Sequence, residues 1–260
     1  MLIRRALLVS AQGLYKAGNG CLFAAAGMLR SDELQSISVD QHGVFNPSAS
    51  DVDAGLSPAE RQVYGQYLRQ ADRILLVGCG TGRDLIGLRL LGYDVTGLEP
   101  VPEVVERARQ HLARRAVSAR VETGLIQTAN LDGRYDAVIF SNGCYSLLQG
   151  SSIRIATLSR IARHLSADGR IIVSYQPARK QSSIGRWLTR TAARLSAADW
   201  TPEPGDTFSR ETTGTGPVRF HHAFAPDELA RECESAGFTV LADDLYDEGY
   251  RFATAVRASS

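Results

Sequence analysis

The sequence predicts an α/β fold: a doubly wound sheet, mostly parallel with an antiparallel last strand, preceded by an N-terminal helical extension. Three observations carry this. From residue 73 onward, short apolar segments alternate with longer helical patterns in the order strand, helix, strand, helix. The strand segments at 73–77 and 171–174 are apolar almost throughout instead of alternating, as strands covered on both faces are. A turn with three glycines, Gly78, Gly80 and Gly82, joins the first strand to its helix.

Residues 1–30 read as one or two helices interrupted at Gly18-Asn19-Gly20, and residues 31–56, poor in periodicity and rich in Ser, Asp, Gly and Pro, as a loop or lid. Residues 1–56 thus form the extension and 57–260 the main domain. Ser57-Pro58-Ala59-Glu60 signals a helix start, with Ser57 as cap, Pro58 in the first turn and Glu60 reaching back. That helix is expected to run to about residue 71. Strands follow at 73–77, 94–98, 120–123, 137–140 and 171–174, with helices at 83–91, 102–115 and 151–165 between them. Gly92 closes the first of these helices, and Ser166-Ala167-Asp168-Gly169 reads as the turn ending the third. A basic amphipathic helix at 183–195, a loop at 196–216 and a strand at 218–224 follow, with residues 177–220 forming a substrate-side insert. A helix at 226–236 and two closing antiparallel strands at 238–246 and 251–256 complete the chain.

Length and charge narrow the function. The 260 residues carry 29 Lys+Arg against 28 Asp+Glu, a net charge of +1. A near-neutral chain of ordinary composition argues against a nucleic-acid partner, which calls for a basic excess, and against disorder. The four cysteines, Cys21, Cys79, Cys144 and Cys233, form no C-x-x-C pair. That predicts no metal site and a reduced, cytoplasmic protein. At the N-terminus Ile3, Leu7, Ala11 and Leu14 share a helical face opposite Arg4, Arg5, Gln12 and Lys16. This amphipathic pattern leaves three readings open: packing on its own domain or a partner subunit of a homodimer, membrane-surface contact through residues 1–30, or a cleaved leader.

The chemistry lies in Ile74-Leu75-Leu76-Val77-Gly78-Cys79-Gly80-Thr81-Gly82-Arg83-Asp84. Glycines admit close backbone approach to a ligand, and the helix that follows presents free N–H groups and a positive dipole end to a carboxylate or phosphate. A dinucleotide fingerprint needs G-x-G-x-x-G; here Arg83 stands in the last position, which counts against a nicotinamide dehydrogenase. The second strand ends at Glu99, 19 residues beyond Gly80. An acid there can accept both hydroxyls of a ribose.

With these residues in view, the chain resembles the class I S-adenosylmethionine-dependent methyltransferases over roughly residues 57–257. Val77-Gly78-Cys79-Gly80-Thr81-Gly82 matches their first motif and Glu99 their ribose-binding acid. The resemblance implies a Rossmann-like sheet and S-adenosyl-L-methionine as cofactor, leaving S-adenosyl-L-homocysteine as product. It implies that Gly78, Cys79, Gly80 and Gly82 cradle the cofactor, that Leu125 and Ile126 flank its adenine, and that Ser141 and Asn142 contact its methionine end. The chain departs from the family at Leu76 and Leu125, where acids are frequent; Asp84 could replace the first. Its other reading is charge complementation of a helix N-terminus.

A methyl transfer asks the protein for positioning and sometimes a base. The candidates are His222 or His221, which point to opposite faces of a strand, and Tyr145 just past the fourth strand. Each could equally be structural. No Asn-Pro-Pro-Tyr-like or Pro-Cys segment follows the fourth strand, which counts against base-modifying enzymes. Arg179, Lys180, Arg186, Arg190 and Arg194 cluster around one helix, as a solvated face or as a site for an acidic substrate or lipid surface. The expected function is methyl transfer to oxygen or nitrogen of a small molecule. The alternatives are a protein or RNA methyltransferase and a non-methylating binding protein on the same fold.

Overall fold

The computed structural model describes residues 18–44, 49–178, 183–210, 218–246 and 249–258. The amphipathic pattern of residues 1–17 lies outside them, as do Arg179 and Lys180. Helix α1 occupies residues 18–27, followed by α2 (Ser31–Val44) and α3 (Ala49–Ala54). The order then runs α4 (Pro58–Tyr67), β1 (Arg73–Val77), α5 (Arg83–Leu90), β2 (Asp94–Glu99), α6 (Pro102–Arg114), β3 (Arg120–Thr123) and β4 (Tyr135–Phe140). A 3₁₀ turn at Cys144–Leu147 precedes α7 (Ser151–His164), β5 (Leu165–Tyr175), α8 (Ser183–Leu195), β6 (Asp206–Ser209) and β7 (Arg219–His222). The chain closes with α9 (Glu228–Ser235), β8 (Phe238–Leu245) and β9 (Arg251–Arg257).

Among the described residues the main sheet has seven strands in the order β3-β2-β1-β4-β5-β9-β8. The pairs β1–β2, β2–β3, β1–β4 and β4–β5 are parallel; β9 is antiparallel to both neighbours. The expected fold class is therefore present, and the last strand is the one that reverses. Both faces are buried, as the non-alternating strands require. Leu75 and Val77 of β1 join one core with Val138, Phe140 and Ile171. Ile74 and Leu76 join the other with Ala137, Ile139 and Ile172. Successive strand residues point to opposite faces, so the four apolar residues of β1 serve two cores. Strand order reverses between β1 and β4, and the crevice beyond their C-terminal ends is where open α/β sheets hold ligands.

Several expectations need correction. Residues 31–56 are largely helical, not a loop: α2 and α3 occupy most of the segment. The cleft-facing positions of α2 are Gln35, Ser38, Val39 and His42, spaced i, i+3, i+4, i+7. That is a helical period, but a mostly polar one, and hydrophobic periodicity does not register it. Gly18-Asn19-Gly20 is helical and opens the described part of α1; the helix expected before it lies outside the described residues. Ser166–Gly169 belongs to β5, where Tyr135 pairs with Leu165 before the register shifts. The 196–216 loop contains β6, which pairs antiparallel with β7. Helix α4 starts where expected, with the reciprocal Ser57–Glu60 capping box, but stops at Tyr67, because Leu68 turns extended.

The N-terminal extension and the insert are packed together. Ala26 and Leu34 share a small core with Phe208 and Phe220. Trp200 Nε1 donates to the Leu29 carbonyl at 2.8 Å, and the Ser31 amide donates to Asp199 Oδ1 at 2.8 Å.

Candidate active site

The glycine turn leaves β1 with Gly78, Gly80 and Gly82 at φ of 69°, 53° and 96°. These left-handed conformations are cheap only without a Cβ. The Gly78 and Cys79 amides donate to the Leu98 carbonyl at 2.8 and 3.2 Å, tying the turn to β2. A Cβ on Gly78 would meet Cys144 Cβ at 2.8 Å, whereas one on Gly80 would meet nothing within 4 Å. The turn is thus closely backed at Gly78 and open at Gly80, as a cradle for a ligand must be.

Glu99 is fully buried. Its Oε2 accepts the Gly80 amide at 3.1 Å and its Oε1 the Val101 amide at 3.3 Å. One carboxylate from β2 therefore fixes the glycine turn of β1. On the other side, His42 Nδ1 of α2 stands 3.4 Å from Glu99 Oε2. The histidine was not among the residues that the sequence singled out, because it falls in a segment read as loop.

Around this pair opens a cleft with about 500 Å³ of empty space, including its mouth. Its walls are Val77, Gly78, Leu98, Pro100, Gly124, Leu125, Ile126, Gln127 and Phe140; Cys144 and Leu147–Gln149 close one end. Helix α2 forms its roof through Gln35, Ser38, Val39 and His42. The roof is pinned: Ser38 Oγ donates to the Leu147 carbonyl at 3.1 Å and Gln149 Nε2 to the Leu34 carbonyl at 3.0 Å.

The expected cofactor residues fall into two sets. Gly78, Leu125 and Ile126 line the cleft. Gly80, Cys79, Gly82, Glu99 and Ser141 build its frame: Ser141 Oγ donates to the Gly78 carbonyl at 3.1 Å. Asn142 takes a left-handed φ of 41°, turning the chain after β4. Asp84 is buried and engaged by Arg83 Nε at 2.5 Å, and Arg83 also pairs with Glu60. Asp84 belongs to this ion-pair cluster and not to the cleft wall. Gln127, also missed from sequence, carries a buried Oε1 without a hydrogen-bond partner among the described residues.

The catalytic candidates lie elsewhere. Both nitrogens of buried His222 face carboxylates, Nδ1 to Asp206 Oδ1 at 2.8 Å and Nε2 to Glu228 Oε1 at 3.0 Å. Burial alone would lower its pKa, but these bonds push it up to about 9. An imidazolium donating from both nitrogens has no lone pair to accept a proton, so His222 is not a resting general base. His221 is lowered by burial and by the His222 charge, and it does not line the cleft. Tyr145 is buried, donates to Glu232 Oε2 at 3.0 Å and stacks on Phe224. Burial holds its phenol well above the usual range. Glu203, His222 and Glu228 bring ligand-type atoms within 4.8 Å of one another. Arg154 Nη2 stands beside them, 2.8 Å from Glu203, 3.7 Å from Glu228 and 2.6 Å from Glu232. The cations of this cluster come from the chain itself.

A seven-stranded sheet with this reversal, a glycine turn after β1 and a buried acid ending β2 form the frame of a nucleoside-cofactor-binding protein. A family model described as a methyltransferase domain matches residues 54–243, well over half of the chain. The protein belongs to that family, the class I S-adenosylmethionine-dependent methyltransferases. A putative methyltransferase of Bacillus subtilis, YqeM, is 28% identical over 102 residues, 39% of this chain and 41% of that protein. The matched stretch thus spans less than half of that relative. The CcbJ methyltransferase from Streptomyces caelestis superposes with a TM-score of 0.59 at 18% identity, covering 85% of this chain and 96% of its own. The glycopeptide N-methyltransferase MtfA, solved with S-adenosyl-L-methionine, superposes with a TM-score of 0.56 at 22% identity, covering 77% and 87%. Both likenesses are of fold.

The residues present fit the cofactor S-adenosyl-L-methionine. The open backbone at Gly80, the buried Glu99 carboxylate beside it and the partnerless Gln127 Oε1 in the wall are what an adenosyl group with an amino-acid tail would need.

Proposed function

We propose that the protein methylates an oxygen or nitrogen of a small-molecule acceptor, with residues 1–56 and 177–220 as the cover over the acceptor. The observation that carries this is the roof. Helix α2 lies across the cleft at Gln35, Ser38 and His42, and it is tied to the insert by the Phe220 amide donating to Gln41 Oε1 at 3.0 Å. A cleft roofed on that side suits a small acceptor better than a polymer chain, and the net charge of +1 agrees. MtfA acts on a glycopeptide nitrogen, which makes small-molecule chemistry at home on this fold. The four free thiols fit a cytoplasmic protein.

The bound cofactor supplies an activated methyl group, so this chain's residues mainly position and exclude water. Glu99 would accept the ribose hydroxyls, with His42 closing that subsite from above. Leu125 and Ile126 would flank the adenine, and Gln127 Oε1 would accept its amine. The Gly80–Gly82 backbone and the N-terminus of α5 would receive the carboxylate of the methionine end. Ser141 and Asn142 would hold the turn against it.

Incubation with isotopically labelled S-adenosyl-L-methionine and a panel of amines, phenols and glycosides tests the reading. Label is expected in the small-molecule fraction. Label confined to added protein or RNA would make the acceptor a macromolecule. No transfer to either, with S-adenosyl-L-homocysteine still bound, would favour the non-methylating alternative.

A further inference from the structure

Helix α8 presents a face that the methyl-transfer site does not use. Its inner side is packed on α1 through small residues. Gly185 abuts the Phe23 ring, and a Cβ on Gly27 would stand 2.1 Å from the Thr189 carbonyl and 2.9 Å from Ala192 Cβ. Thr189 and Ala193 are buried. The outer side carries two adjoining stripes. One is apolar: Ile184, Trp187 and Leu195 are 69%, 62% and 83% exposed, an unusual load on one short helix. The other is cationic: Arg186, Arg190 and Arg194, one turn apart, are all exposed and line a shallow groove with Trp187. The helix contains no acid, and no ion pair joins these arginines to a carboxylate among the described residues.

We propose that this face docks the protein on an anionic lipid surface. The occupant must satisfy both stripes at once. A free phosphate or carboxylate would answer the arginines but leave the indole and the two aliphatic side chains in water. A second copy of the chain would answer the apolar stripe. In a two-fold dimer, however, α8 would lie on α8 and set six arginines together without an acid between them, which costs binding. A bilayer with acidic headgroups offers apolar depth to Ile184, Trp187 and Leu195 and phosphate to the guanidiniums beside them. Interfacial helices have this layout, and tryptophan favours the headgroup level. The sequence just before α1, the helix on which α8 rests, repeats the composition, with Ile3, Leu7 and Leu14 beside Arg4, Arg5 and Lys16.

Co-sedimentation of the full chain with vesicles tests this. We expect binding to vesicles of phosphatidylcholine mixed with phosphatidylglycerol, no binding to phosphatidylcholine alone, and release by high salt. Replacing Arg186, Arg190 and Arg194 together by alanine should weaken binding by about a hundred-fold, since each arginine near an anionic surface is worth roughly five-fold. Trp187→Ala should weaken it several-fold. Both variants should keep the thermal shift given by S-adenosyl-L-homocysteine, which shows that they are folded. The proposal is overturned if the wild-type chain ignores the anionic vesicles or if the triple variant binds as well. It is equally overturned if the chain is a dimer that Trp187→Ala dissociates, which would assign the face to a second copy. Preference for polyglutamate over vesicles would assign it to an acidic protein instead.

Discussion

At the scale of single residues, Glu99 does two jobs, and its substitution separates them. It holds the glycine turn through the Gly80 amide, and in the proposed reading it also accepts the ribose hydroxyls. Charged hydrogen bonds are worth about 1.5–3 kcal/mol each, so Glu99→Ala should weaken S-adenosyl-L-homocysteine binding by at least ten-fold. The ligand-dependent rise in melting temperature reads this out, because only the native state binds. An unchanged rise would remove Glu99 from the ribose subsite. His42→Ala should weaken binding less, and NAD should give no rise with either protein. His222 gives a pH prediction. Its pKa is raised from 6.5 to about 9 in the folded protein by Asp206 and Glu228. The stability that this contributes, on the order of 3 kcal/mol, is therefore complete below pH 6.5 and is lost as pH rises through 9. Urea unfolding between these values should show the decline in the wild-type protein and a flatter profile in His222→Gln. Equal slopes would place the titration elsewhere. His222 was legible as a special residue, but its role was not, because its partners Asp206 and Glu228 come from other elements.

At the scale of elements, local signals succeeded where their partners were local. The Ser57–Glu60 box fixes the start of α4 through bonds three residues apart, the Glu60 amide to Ser57 Oγ at 3.2 Å and the Ser57 amide to Glu60 Oε2 at 2.7 Å. Ser57→Ala should cost about 1 kcal/mol and lower the melting temperature by about 2–4 °C, with cofactor affinity unchanged. Differential scanning calorimetry with and without S-adenosyl-L-homocysteine checks both parts. Helix α2 is the opposite case. Its cleft-facing stripe is mostly polar, and its core-facing Leu34 and Ile37 are too few to make the pattern that betrays most helices. Strand β6 was hidden for a related reason: four residues, with only Asp206 and Phe208 buried, signal little until β7 pairs with them.

At the scale of the whole molecule, one buried network joins the cover to the main domain. Arg154 of α7 reaches Glu232 of α9 and Glu203 of the insert. Burial lifts the Glu203 carboxyl, but Arg154 and the Ser151 amide bring it below its usual range. Burial keeps Glu232 above it despite Arg154. Removing one partner of such a cluster leaves buried charge uncompensated, so Arg154→Leu should destabilise the protein by about 3–5 kcal/mol. The midpoint of urea unfolding measures this; a loss below 1 kcal/mol would mean that the cluster rearranges freely. The sequence by itself determined the sheet, the glycine turn, the acid that ends β2 and, through the family they resemble, the cofactor. These depend on short-range order: apolar runs, glycines with positive φ and an acid at a strand end, each readable within one β-α unit. Only the tertiary structure decided which side chains share the cleft. His42 and Gln127, 85 residues apart in the chain, line it together, with buried Glu99 behind His42, and Tyr145, Arg154 and His222 turn away into their own cluster. Such meetings rest on packing between distant segments, and no spacing within the chain encodes them.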